Sequence, residues 1–129
     1  YGSMCRVVME AARDLAEVGI SCEVIDVQSL TPFDLQHRIV DSVKKTNRVV
    51  FADEDVPGGA SAFMMQQVLE KQGAYQYLDA SPVTIAAKEH RPAYGSDGDY
   101  FSKPNPEDVF DKIYEMMREA DRESFPQLY

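Results

Sequence analysis

The chain has 129 residues, which suits one domain with a sizeable core. Hydrophobic residues make up 44% and charged residues 27%, ordinary for a globular domain, while a formal charge of −9 argues against nucleic acid and permits a basic protein partner. Cys5 and Cys22 are too few for a disulfide scaffold, no apolar stretch is long enough for a membrane span and no signal peptide is visible, so a cytoplasmic setting is expected.

Ser3 is expected to cap a helix over about Met4–Val18, with Val7, Val8, Ala11, Ala12 and Leu15 at helical spacing. Gly19 closes it in the left-handed conformation. Ile20–Val27 reads as a strand. A loop with Pro32 leads to a helix over about Phe33–Lys45, with Leu35, Ile39, Val40 and Val43 inward and Asn47 as its stop. Arg48–Asp53 is an apolar strand suited to burial on both faces. Asp53, Glu54 and Asp55 crowd its tip, and Val56-Pro57-Gly58-Gly59 turns the chain. In open α/β sheets the carboxyl ends of strands are where partners meet the chain.

The helix over about Ala60–Lys71 carries an apolar stripe that includes Phe63, Met64, Met65 and Val68. The stripe is wider than one sheet contact needs; its surplus faces either a loop of the same chain or a second subunit. Gly73 ends it, Asp79-Ala80-Ser81-Pro82 forms a turn, and Val83–Ala87 reads as a strand. Pro92–Asn105 reads as a long loop. Asn105, Pro106, Glu107 and Asp108 give a strong start signal for the final helix. In the tail, Phe125, Leu128 and Tyr129 suggest either fraying or docking onto another subunit.

Alternating helices and strands imply parallel strands covered on both sides. An opening helix with no strand before it is odd, and Tyr1-Gly2-Ser3 suits a strand-to-helix turn. A buried strand is therefore expected just upstream. Reactive groups are sparse. His37 falls within the second helix and His90 at a strand tip, where a solvated or structural histidine is the commoner outcome. There is no G-x-S-x-G, Walker A loop or G-x-G-x-x-G. The acidic tip would repel a phosphate and matches no calcium loop. No catalytic, cofactor-binding or metal-binding residue is expected on this chain.

With those residues in hand, the chain resembles the C-terminal domain of the transketolase superfamily, in the β-type form of thiamine-diphosphate-dependent 2-oxoacid dehydrogenase E1 components. The resemblance rests on YGSM at Tyr1, EAARDLAEVGISCEVIDVQSLTPFD from Glu10 to Asp34, SVKKTNRVVFADE from Ser42 to Glu54, Gly58-Gly59, and YLDASPV from Tyr77 to Val83. YGSDGDYFSKP, from Tyr94 to Pro104, is similar to forms in which the α and β parts are fused.

The resemblance implies that residues 1–129 form an α/β domain: three-layer α/β/α, with a mostly parallel five-stranded sheet whose central strand precedes Tyr1. It implies a non-catalytic assembly domain of an E1 enzyme acting on pyruvate or a branched-chain 2-oxoacid. Thiamine diphosphate and Mg would be bound by other domains. The implied partners are the rest of E1, as a homodimer or heterotetramer, and the subunit-binding domain of the E2 acyltransferase. The position of the family's E2-contacting acidic residue matches Asp79, although Ser81 here intervenes before Pro82. The candidate partner-binding residues are Asp79, Phe63, Met64 and Glu54. The alternatives are the C-terminal domain of a transketolase or 1-deoxyxylulose-phosphate synthase, or a free-standing binding module.

Overall fold

The computed structural model describes residues 1–88 and 103–128. Two short strands, β1 (Val50–Ala52) and β2 (Val83–Ile85), pair in parallel with Phe51 opposite Thr84. Helices cover both faces. α1 (Met4–Glu17) and α4 (Pro106–Ala120) pack together on one side, while α2 (Arg38–Thr46) and α3 (Ala60–Met65) lie on the other.

β1 divides the core by the alternation of its side chains. Val50 and Ala52 pack with Met4, Ala11, Ile85 and Val109 in the α1/α4 layer. Val49 and Phe51 pack with Ile39, Val43, Met64 and Val68 in the α2/α3 layer. Leu15, Ile20 and Tyr114 form a third cluster where α1 meets α4. The described residues thus form the expected α/β/α layering around a parallel sheet of two strands.

Local chemistry explains several boundaries. Gly19, at φ 86°, follows α1, and the Ile20 N–H donates to Leu15 O at 2.9 Å. Apolar contact between the same two residues completes this Schellman closure. At α4, the Asn105 side chain accepts from the Asp108 N–H at 2.9 Å, and the Asp108 carboxylate accepts from the Asn105 N–H at 3.0 Å. Pro106 occupies the first turn of that capping box.

Three expectations need correction. The second helix starts at Arg38 rather than Phe33. The Asp34 carboxylate accepts from the N–H groups of Arg38 and Ile39, at 3.0 and 3.1 Å, so the preceding residues form a turn and Leu35 is 76% exposed. His37 sits at the helix entry with φ 54°. The expected strand Ile20–Val27 makes no ladder; it lies across a cavity of about 350 Å³ from β1. Ser3 precedes α1 without capping it, because its hydroxyl donates to Glu54 instead.

The helix from Ala60 changes pitch. It is α-helical to Met65 and π-helical over Gln66–Lys71, and the Gln72 N–H donates to Gln67 O at 2.9 Å. A short 3₁₀ turn, Ala74–Tyr77, then leads towards β2. The tail docks on its own domain. Phe125 meets Tyr114 edge-on at 6.1 Å, and the Tyr114 hydroxyl donates to Pro126 O at 2.5 Å.

Candidate functional site

The acidic tip is held by the turn that follows β1. Asp53 is 4% exposed, and its N–H donates to Ile85 O at 3.0 Å, extending the pairing of the two strands. Asp55 accepts from the Val56 N–H at 2.8 Å through its side chain and from the Ala87 N–H at 2.8 Å through its carbonyl. The turn has little room. A Cβ on Gly59 would stand 2.7 Å from the Asp55 carboxylate, so only glycine fits without a shift.

Glu54 joins three separate parts of the chain. Its carboxylate accepts from the Ser3 hydroxyl and lies 3.6 Å from Lys103 Nζ. The Ser3 hydrogen bond, reinforced by the positive charge of Lys103, holds the Glu54 carboxyl below the ordinary glutamate range. Glu54 is therefore an anion at neutral pH, half-exposed at the carboxyl end of β1.

Asp79 lies at the opposite end of the sheet. Its N–H donates to Asn47 O at 2.8 Å, and the Asn47 side-chain amide donates to Tyr77 O at 2.8 Å. Asn47 adopts φ 62°, a conformation that asparagine tolerates better than most residues. Asn47 thereby ties the turn before β2 to the end of α2, and leaves Asp79 exposed near the amino ends of both strands.

Phe63 and Met64 point different ways. Phe63 is 36% exposed and meets Phe33 edge-on at 6.1 Å. Met64 is 3% exposed within the α2/α3 core and offers a partner no surface, which corrects its place among the candidates. The sequence marked a wide stripe on this helix, but only packing against Phe33 and α2 separates its inner residues from its outer ones.

The four candidates therefore do not converge. Glu54 and Asp79 lie at opposite strand ends, Phe63 is on a helix face, and Met64 is inside. His90 and most of the segment Tyr94–Pro104 lie outside the described residues. The two thiols are poorly suited to nucleophilic work. Burial raises the Cys22 pKa; at Cys5, burial and then the hydrogen bond to Asp26 do the same. The tip carries Asp53, Glu54 and Asp55, which repel a diphosphate, and no group of three His, Cys, Asp or Glu among the described residues is placed to hold a metal ion.

The architecture and the sequence agree with a known family. The profile of the transketolase C-terminal domain matches residues 1–109. The chain belongs to the transketolase C-terminal domain family. Relatives of this transketolase C-terminal domain include the pyruvate dehydrogenase E1 component subunit beta of Rhizobium meliloti (strain 1021), 32% identical over 113 residues, covering 88% of this chain and 24% of that protein. The chloroplastic subunit beta-2 of Arabidopsis thaliana is 40% identical over 90 residues, covering 69% of this chain and 21% of that protein. The mitochondrial subunit beta-1 of the same plant is 34% identical over 110 residues, covering 84% and 30% respectively. The domain is thus of the E1 beta type, and spans between about a fifth and a third of the length of these relatives. The family match ends at Val109, early in α4, so most of that helix and the docked tail lie beyond it.

Proposed function

We propose that this chain is the assembly domain of an E1 component of a 2-oxoacid dehydrogenase, acting on pyruvate or a branched-chain 2-oxoacid. In this reading it supplies contact surfaces, and thiamine diphosphate and Mg are held by other domains of a cytoplasmic enzyme. The observation that carries the reading is the dispersal of the candidate residues. Glu54, Phe63 and Asp79 sit on separate outward surfaces of one fold, as contact points do, while a reaction centre needs its groups within hydrogen-bond reach. The kinship with subunits named pyruvate dehydrogenase E1 beta supplies the choice of enzyme.

Asp79 is the residue proposed to meet a basic residue of the E2 subunit-binding domain. Its backbone is tethered through Asn47, so a charge placed there is presented on a fixed turn. Phe63, with Phe33 behind it, is proposed as part of the surface between E1 subunits in a homodimer or heterotetramer. The net charge of −9 favours encounter with basic partners.

Two measurements test this. The enzyme carrying the domain, given thiamine diphosphate, magnesium, a 2-oxoacid and an artificial electron acceptor, should catalyse oxidative decarboxylation. Absence of turnover with pyruvate and with branched 2-oxoacids rejects the reading. Asp79→Lys should weaken E2 binding by about tenfold or more, roughly 1.4 kcal/mol, and leave decarboxylation unchanged. Unaltered E2 affinity removes the docking role.

A further inference from the structure

β2 is open along the edge that faces away from β1. In parallel pairing, the N–H and C=O of one residue point to the same neighbouring strand, and successive residues alternate sides. The Val83 N–H donates to Val49 O, and Ile85 O accepts from the Asp53 N–H, so Val83 and Ile85 serve β1. Thr84 and Ala86 therefore turn their backbone groups the other way. Among the described residues no strand and no backbone hydrogen bond meets them there.

This edge is one wall of an open groove of about 670 Å³. The other wall is α4. Asp108, Asp111, Lys112 and Glu115 line it, and their spacing puts them on one face of that helix. A strand edge beside a helix is a seat for an added strand. Main-chain bonds to the edge give affinity, and side chains that meet the helix give selectivity.

The charges decide which strand fits. The carboxylates of the helix face are already engaged. Asp108 accepts from the Asn105 N–H at 3.0 Å, at the positive end of the helix, and Glu115 pairs with Arg118 at 3.9 Å. Asp111 is engaged as well, and Lys103 lies 3.6 Å from Glu54. Lys88 and Lys112 are exposed on the groove, and neither has a carboxylate partner among the described residues. Uncommitted lysines beside an open edge deter neutral and basic strands, and leave an acidic strand as the one that is attracted.

We infer that the groove between β2 and α4 binds an extended acidic segment of a partner protein. The segment adds a strand at Thr84 and Ala86 and sets carboxylates against Lys88 and Lys112. Its acidic residues fall at alternate positions, because only one face of a strand turns towards the helix. The site is separate from Asp79: Lys88 follows the carboxyl end of β2, whereas Asp79 precedes its amino end. It stands whatever enzyme the domain serves.

The test titrates a fluorescein-labelled, end-capped peptide of alternating Glu and Val, about six residues long, into the intact polypeptide that carries the domain. Anisotropy should show saturable binding, and the peptide should slow hydrogen exchange at the Thr84 and Ala86 amides, read by mass spectrometry with residue-level fragmentation. Lys88→Glu and Lys112→Glu should each weaken binding at least about tenfold, with unchanged melting because both side chains are exposed. If either reversal lowers the melting temperature, Lys88→Gln or Lys112→Gln should still weaken binding. Absence of saturable binding overturns the inference, as does equal binding of a Lys/Val peptide or binding that leaves the Thr84 and Ala86 amides unprotected. Displacement of the peptide by inorganic triphosphate at equal concentration identifies a site for any anion and also overturns it. Slow exchange at both amides before peptide is added means that the edge is already covered, by the chain itself or by a second copy, and the partner strand is rejected.

Discussion

At the scale of single residues, the local roles of serine and asparagine here depend on distant partners. Ser3 stands where a helix cap is expected, yet its hydroxyl serves Glu54, far away in sequence. Replacing it should be read at Glu54. The folded-state pKa of Glu54 lies below the reference value of 4.5, so the stability it contributes is present above that value and is lost as pH falls through the lowered pKa. Ser3→Ala should move the Glu54 titration upwards towards 4.5, as measured by carboxyl NMR, and destabilise the domain above that pH, with the difference from the parent shrinking as pH falls through the lowered pKa. Asn47 combines a left-handed backbone with a side-chain bond to Tyr77 O. Asn47→Ala loses both the bond and the conformational tolerance, and should cost about 1–2 kcal/mol in urea unfolding.

Helices and strands were legible in the sequence to very different degrees. Helices α1 and α4 were readable because their signals are local: a glycine stop at Gly19, and Asn105-Pro106 followed by Asp108 as a start. Asn105→Ala should cost about 1 kcal/mol by removing one half of the capping box, measured by chemical denaturation. The start of α2 was misread because Phe33-Asp34-Leu35 fits helical periodicity equally well. What decides is the Asp34 carboxylate, which caps from outside the helix. Residues 20–27 look like a strand, but strand identity needs a neighbour, and periodicity cannot supply one. The stripe on α3 was visible, whereas its division into core and surface was not. Met64→Asp should abolish cooperative folding, because it places an unpaired charge in the core. Phe63→Asp should leave the fold intact, and circular dichroism with thermal melting separates the two outcomes.

For the whole molecule, the layering could be inferred from the alternation of elements, because each element must bury an apolar face. The dispersal of the candidate site could not. Glu54 and Asp79 are both acidic residues near turns, and only the direction of the paired strands puts them at opposite ends. The tail was ambiguous for a similar reason: Phe125 could have met any apolar surface, and it meets Tyr114 of its own domain. Truncating the chain after Asp121, which removes residues 122–129, should destabilise the domain by about 2–4 kcal/mol, since it uncovers Tyr114 and removes its hydroxyl's acceptor. The change of pitch after Met65 has a similarly long reach. A bond from Gln72 back to Gln67 encloses one residue more than an α-turn does. Everything beyond it is thereby rotated by one residue's step, about 100°. That rotation brings the Gln72 amide to Asp34 O, at 3.4 Å, across the gap to the loop before α2. Excising one residue between Gln66 and Lys71 would rewind the coil to ordinary pitch and swing that amide away, so a single deletion would unlatch a loop more than thirty positions earlier in the chain.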